Sequence, residues 1–177
     1  MNIDLLRYPI GKFLPPSVIT AVDRVGYIQD IESLPDEIRV AVTGLTDEQL
    51  DTPYRPDGWT LRQVVHHLPD SHLNSYIRFK WAVTELQPVI KAYDQKDWAR
   101  LADAKEAPIE ISLAMLAGIH GRWVWFLKNL TENDWKKCFI HPETNKLIPL
   151  DLNLSLYAWH GKHHLGHIQT LKRRKSW

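Results

Sequence analysis

The sequence predicts an all-α four-helix bundle with an extended N-terminal arm and a small hairpin near residues 138–150. Three observations carry this prediction. Four long segments place apolar residues at three- and four-residue spacing, the period of a helix with one buried face. They are joined by one long and several short connections, as bundle helices are. The chain also lacks βαβ alternation, a glycine-rich phosphate loop and internal repeats, which sets aside the α/β folds. Residues 1–177 read as a single domain, since 177 residues of which 44% are hydrophobic can bury a sizeable core.

Pro9, Pro15 and Pro16 make residues 1–16 an extended surface arm. Ser17 is read as the cap of a first helix reaching about Val42, with Val18, Ile19, Val22, Val25, Ile28 and Ile31 on its apolar face. Pro35 should kink or split that helix, and Gly44 should end it. Thr46 and Gln49 form a capping box for a short helical turn. Thr60 and Gln63 form another, opening a second long helix to about Glu85. Its core face carries Leu61, Val64, Val65, Leu68, Tyr76 and Phe79, and Pro69 should bend it beside His66 and His67. Residues 87–107 are a long connection with a short helix near Asp97–Asp103.

The third helix starts at Pro108 and runs to about Leu130, with Leu113, Leu116, Ala117, His120, Val124 and Leu127 facing the core. Thr131 to Trp135 opens a short turn. His141 to Lys146 is turn chemistry between two short apolar segments, which gives the hairpin. The fourth helix covers about Leu150 to Arg174. Lys172 to Lys175 fall in its last turn, where cations offset the negative end of the helix dipole.

A net charge of +1 argues against nucleic acid or an anionic membrane as the main partner. The one cysteine, Cys138, excludes an internal disulfide, suits a reducing compartment and reads as a structural thiol. The first residues do not resemble a signal peptide. The longest uncharged apolar run, Ile111 to Gly121, is far short of the ~20 residues of a membrane span. The expectation is a soluble, cytoplasmic protein.

Chemistry concentrates in the fourth helix. Four of the nine histidines, His160, His163, His164 and His167, fall within eight residues. At about 100° per residue they occupy about a third of the helix circumference. His160/His164 and His163/His167 are each spaced to hold one ion from one side, and catalytic zinc typically takes three protein ligands. The second helix offers His66, His67 and His72 as the third. His72 lies within the core stripe, while His67 heads a polar stripe with Ser71, Asn74 and Arg78, as a half-buried pocket would need. The competing reading is a solvated helix face. His120, alone on an apolar face, reads first as a satisfied core histidine and second as a hydrogen-bond donor behind a metal ligand.

The stretch Gly58–Lys80, with His67, Asn74 and Arg78, resembles the second helix of the DinB-like, YfiT-type metal-dependent hydrolases of bacilli. Trp159–Ile168 resembles their fourth helix, and Leu50–Arg55 and His120–Trp123 add to the likeness, with Ile119 where leucine is usual and Pro69 where alanine is. The resemblance spans nearly the whole chain. It implies a four-helix bundle, a homodimer, and a metal held by His67, His160 and His164 and completed by waters. One divalent metal per chain is therefore expected, zinc first and nickel second, activating water against a small-molecule substrate. A bacillithiol-type S-transferase, using a low-molecular-weight thiol as thiolate, is the alternative. A non-catalytic metal-binding dimeric bundle is the second, and a metal-free acid/base enzyme the third. Asn74 and Arg78 are candidate substrate contacts, and His120 and His163 candidates for supporting the ligands from behind.

Overall fold

A computed structural model describes residues 3–177. The first two positions of the predicted arm lie outside the described residues. The arm is not extended throughout, because α1 (Ile3–Arg7) is a short helix, after which the chain lies open to Thr20.

Thr20, not Ser17, caps α2 (Ala21–Val42). Thr20 accepts from the Asp23 amide, and the Asp23 carboxylate accepts from Thr20 N at 2.8 Å. Ser17 has only another threonine three residues on, so it cannot form this reciprocal pair. Val18, Val22 and Val25, expected on the apolar face, are 73%, 81% and 56% exposed. The buried stripe begins at Ile28 and continues through Ile31, Leu34, Ile38, Ala41 and Val42. Pro35 does not split the helix.

Thr46 and Gln49 cap α3 (Asp47–Leu50), and Thr60 and Gln63 cap α4 (Leu61–Thr84), which runs unbroken through Pro69. The long connection carries two short helices instead of one, α5 (Gln95–Trp98) and α6 (Ala102–Glu106). On α7 (Ile109–Lys128) Ala117 is exposed. The fully buried residue missing from the predicted face is Trp123, with ring centroids 5.6 Å from Phe79 and 5.8 Å from Tyr157. A turn, α8 (Glu132–Trp135), leads to β1 (Cys138–His141), paired antiparallel with β2 (Lys146–Pro149), which passes directly into α9 (Leu150–Lys175). Ile90 N donates to Ile140 O and Ile140 N to Pro88 O, so the hairpin holds the connection against the bundle.

α2 packs on α7 and α9, and so does α4. The consecutive long helices α2 and α4 therefore stand on a diagonal. Two apolar clusters fill the interior. Leu34, Ile38, Leu61, Leu68, Leu116 and Ile168 belong to one, and Ile31, Phe79, Trp123 and Leu154 to the other. The changeover on α4, α7 and α9 falls where His72, His120, His160 and His164 stand, with His67 at its edge. The bundle thus encloses an imidazole layer between two oily ones. Among the described residues no helix is long and apolar enough to cross a membrane.

Candidate metal centre

His67, His160 and His164 each offer one ring nitrogen, and these atoms all lie within 4.8 Å of one another. Nε2 of His67 stands 3.3 Å from Nε2 of His160. Close backbone approach sets this up. An ideal Cβ on Gly161 would stand 2.4 Å from Leu34 Cδ2, so with α9 this near α2 a larger residue would force the Leu34 side chain to move. A Cβ on Gly166 would meet Pro9 Cγ at 3.0 Å, and this small residue lets the N-terminal arm lie on α9. The Trp59 ring, just ahead of the α4 cap, stands 4.8 Å from the His67 ring and covers it.

Behind His160 and His164 run two hydrogen-bond chains, each anchored on a main-chain carbonyl. In the first, His120 Nδ1 lies 2.6 Å from Ile31 O, His120 Nε2 lies 2.9 Å from His72 Nδ1, and His72 Nε2 lies 3.1 Å from His160 Nδ1. A carbonyl oxygen only accepts, so His120 Nδ1 carries the proton. With neutral rings the order then propagates: His72 donates from Nδ1 to His120, and His160 donates from Nδ1 to His72. The Nε2 lone pair of His160 is left bare and faces the other two histidines. Proline at position 35 makes this possible, because it has no N–H for the carbonyl four residues back, which is Ile31.

The second chain is shorter. His167 Nε2 donates to Arg7 O at 3.1 Å, so His167 Nδ1 accepts from His164 Nδ1 at 3.4 Å, leaving His164 Nε2 bare. Burial keeps these rings neutral. It pushes His67 and His167 down to about 3 and His120 to about 4, with neighbouring histidines adding to the shift for His67 and His167. His72, His160 and His164 are held well below the ordinary imidazole range by the same burial. Three neutral imidazoles, two with lone pairs fixed from behind, suit a divalent metal of the zinc type.

Of the other candidates, Arg78 lines a cavity of about 560 Å³ beside His160, together with Ser71, Tyr93 and Tyr157. Asn74 does not line that cavity, and its amide donates to Asp70 O one turn back. His163 stacks on Trp159 at 4.5 Å and meets His164 edge-on at 5.1 Å, but its buried Nδ1 has no hydrogen-bond partner among the described residues, so it braces none of the three converging rings. His120 supports His160 only through His72. His66 is structural, tying α4 to Ser112 Oγ at 2.7 Å and Ala107 O at 3.1 Å. His72 and His167 are the residues that sequence reasoning passed over in this role. A second cavity of about 590 Å³ is lined by His160 and His164 with Arg7, Arg55 and Arg100, so the candidate centre opens on two sides. A wider hollow of about 1030 Å³ around Arg39, Asp47 and Arg62 contains no histidine.

A model of the DinB superfamily matches residues 30–168. The Bacillus subtilis protein YfiT, provisionally named a metal-dependent hydrolase, is 49% identical over 172 residues, 97% of each chain. A Geobacillus thermodenitrificans protein with the same provisional name is 47% identical over 176 residues, 99% of each. A Bacillus cereus protein so named is 51% identical over 172 residues, 97% of this chain and 98% of its own. The solved structure of YfiT superposes with a TM-score of 0.95, covering 98% of this chain and 99% of that one. It is described as a "probable metal-dependent hydrolase with an unusual four-helix bundle topology".

Proposed function

The chain belongs to the DinB superfamily, and from that premise we propose that it is a metal-dependent hydrolase of small molecules, holding one divalent metal on His67, His160 and His164. Zinc suits three imidazoles, and nickel is the alternative. One observation carries the reading: three ring nitrogens converge on one point, two of them with lone pairs fixed by hydrogen-bond chains ending on Ile31 O and Arg7 O. When bound, such a cation supplies a Lewis acid and holds water or a thiol as its anion near neutral pH.

The chain's own part is to position and to exclude. His72 and His167 hold the rings of His160 and His164 in one tautomer and one orientation. Trp59 covers His67 from outside. Rings whose protonation is suppressed this far serve poorly as acid/base catalysts at neutral pH, which weighs against a metal-free mechanism. The test is hydrolysis of p-nitrophenyl acetate before and after chelation, with and without an added low-molecular-weight thiol. Loss on chelation and recovery with zinc are expected. Hydrolysis that survives chelation would overturn the proposal, and turnover that requires the thiol would move it to thiol transfer.

The bracing chain makes its own prediction. His120→Phe fills the space but cuts the link from His72 to Ile31, so the tautomer of His160 is no longer imposed. Zinc affinity, read by competition with a chromophoric chelator, should weaken about 10- to 100-fold. An unchanged affinity would mean that the chain does not bear on the site.

A further inference from the structure

Two arginines on α4 are nearly sealed from solvent and are treated in opposite ways. Arg62, 5% exposed, donates to Asp51 at 2.6 Å, to Asp47 at 2.6 Å and to Ala107 O at 3.2 Å. Arg78, 8% exposed, makes no ion pair and no hydrogen bond among the described residues. A guanidinium largely withdrawn from bulk water is best matched by an anion, and since no nitrogen of Arg78 is itself fully buried the group faces the cavity, where an anion can reach it. The fold solves this at Arg62 and leaves it open at Arg78.

The surroundings of Arg78 say what would close it. The cavity of about 560 Å³ has the volume of a small-molecule site, and His160 lines it together with Arg78. Ser71 Oγ donates to the Tyr157 hydroxyl at 3.4 Å on one wall. Tyr93, pushed up to about 12 chiefly by burial, stays a protonated donor on the same wall. Lys96 adds a second cation. Two carboxylates also line the cavity, and neither pairs with Arg78. Asp94 accepts from the amides of Lys96 and Asp97 at 2.7 and 3.2 Å, capping α5, and Glu143 lies exposed in the hairpin turn.

We propose that this cavity binds the oxyanion of a small molecule, a carboxylate or a phosphate, with Arg78 as its counter-ion and the reacting end of the molecule directed to His160. The proposal deepens the hydrolase reading and rests on it for the reaction at that end of the molecule. The planar fork of Arg78 matches either oxyanion with two parallel hydrogen bonds, and the hydroxyl of Tyr93 supplies a further donor.

The experiment titrates inorganic phosphate and, separately, acetate into the full chain by calorimetry, as purified and after chelation. Wild type, Arg78→Gln and Arg78→Lys are compared, and the metal content of each sample is measured alongside. Arg78→Gln should weaken binding of the favoured anion about tenfold or more in both forms, with Arg78→Lys in between because it keeps the charge and loses the fork. The arm that responds identifies the oxyanion. Equal affinity in wild type and Arg78→Gln would overturn the proposal. So would binding that disappears on chelation and ignores Arg78, because the metal would then hold the anion. Anion binding that depends on Arg78 in samples that never hold metal would leave this site standing and remove the hydrolase reading.

Discussion

Replacing His160 and His164 together by alanine is expected to abolish stoichiometric metal binding while leaving a folded helical chain. The two residues contribute two of three converging nitrogens, and they share helix α9, so no neighbouring turn can stand in for them. His163 is the nearest spare imidazole, but it is stacked on Trp159 and its free nitrogen lies outside the converging set. A single remaining His67 offers one bond to an ion that water can solvate as well, so binding should fall below detection. Folding should survive because the flanking clusters, from Leu61 to Ile168 on one side and from Ile31 to Leu154 on the other, do not include the altered residues. Elemental analysis gives the metal and circular dichroism the helix content. His163→Ala is the control and should keep its metal. Metal retained at wild-type level in the double variant would sink the three-histidine assignment.

Much of this site was legible in the sequence, and what was missed shares one physical cause. The capping boxes at Thr46 and Thr60 depend on residues three apart, so they can be read locally, and they hold. The periodicity of α4 and α9 identified their inner faces. Periodicity does not say which other helix a face meets. His72 therefore looked like core, although it links His120 on α7 to His160 on α9. His167 looked like half of a competing metal pair, although it donates to a carbonyl 160 residues away in sequence. Pro35 looked like a break, and its missing N–H instead leaves Ile31 O to anchor the longer chain. Val18, Val22 and Val25 fit the helical period but stand exposed on the outward side of α2 and its lead-in.

The same enclosure of imidazoles should make the metal-free protein unusually sensitive to acid. Eight of the nine histidines are shifted downward, with burial the first cause in each: His66, His67, His72, His120, His160, His163, His164 and His167. In the unfolded chain each titrates near 6.5, whereas in the folded chain His67 and His167 hold out to about 3 and His120 and His163 to about 4. Between those values the unfolded state binds more protons. Stability is therefore complete above about pH 6.5 and falls as the pH drops below it, by up to about 1.4 kcal/mol per histidine per pH unit. One group opposes this. Asp70, raised to about 6 by burial first and Asp103 second, binds its proton more readily in the folded chain and so favours folding as pH falls through 6. One carboxyl cannot offset eight imidazoles, so the sum is destabilising. Thermal melts of chelated protein from pH 7.5 to 5 should show Tm falling steeply below 6.5. Zinc should shift that fall to lower pH, because the metal occupies the lone pairs the protons need. A Tm that stays level from pH 7.5 to 5 without metal would mean that these rings reach solvent and protonate in place. The neutral, ordered chains from Ile31 and Arg7 would then lose their basis.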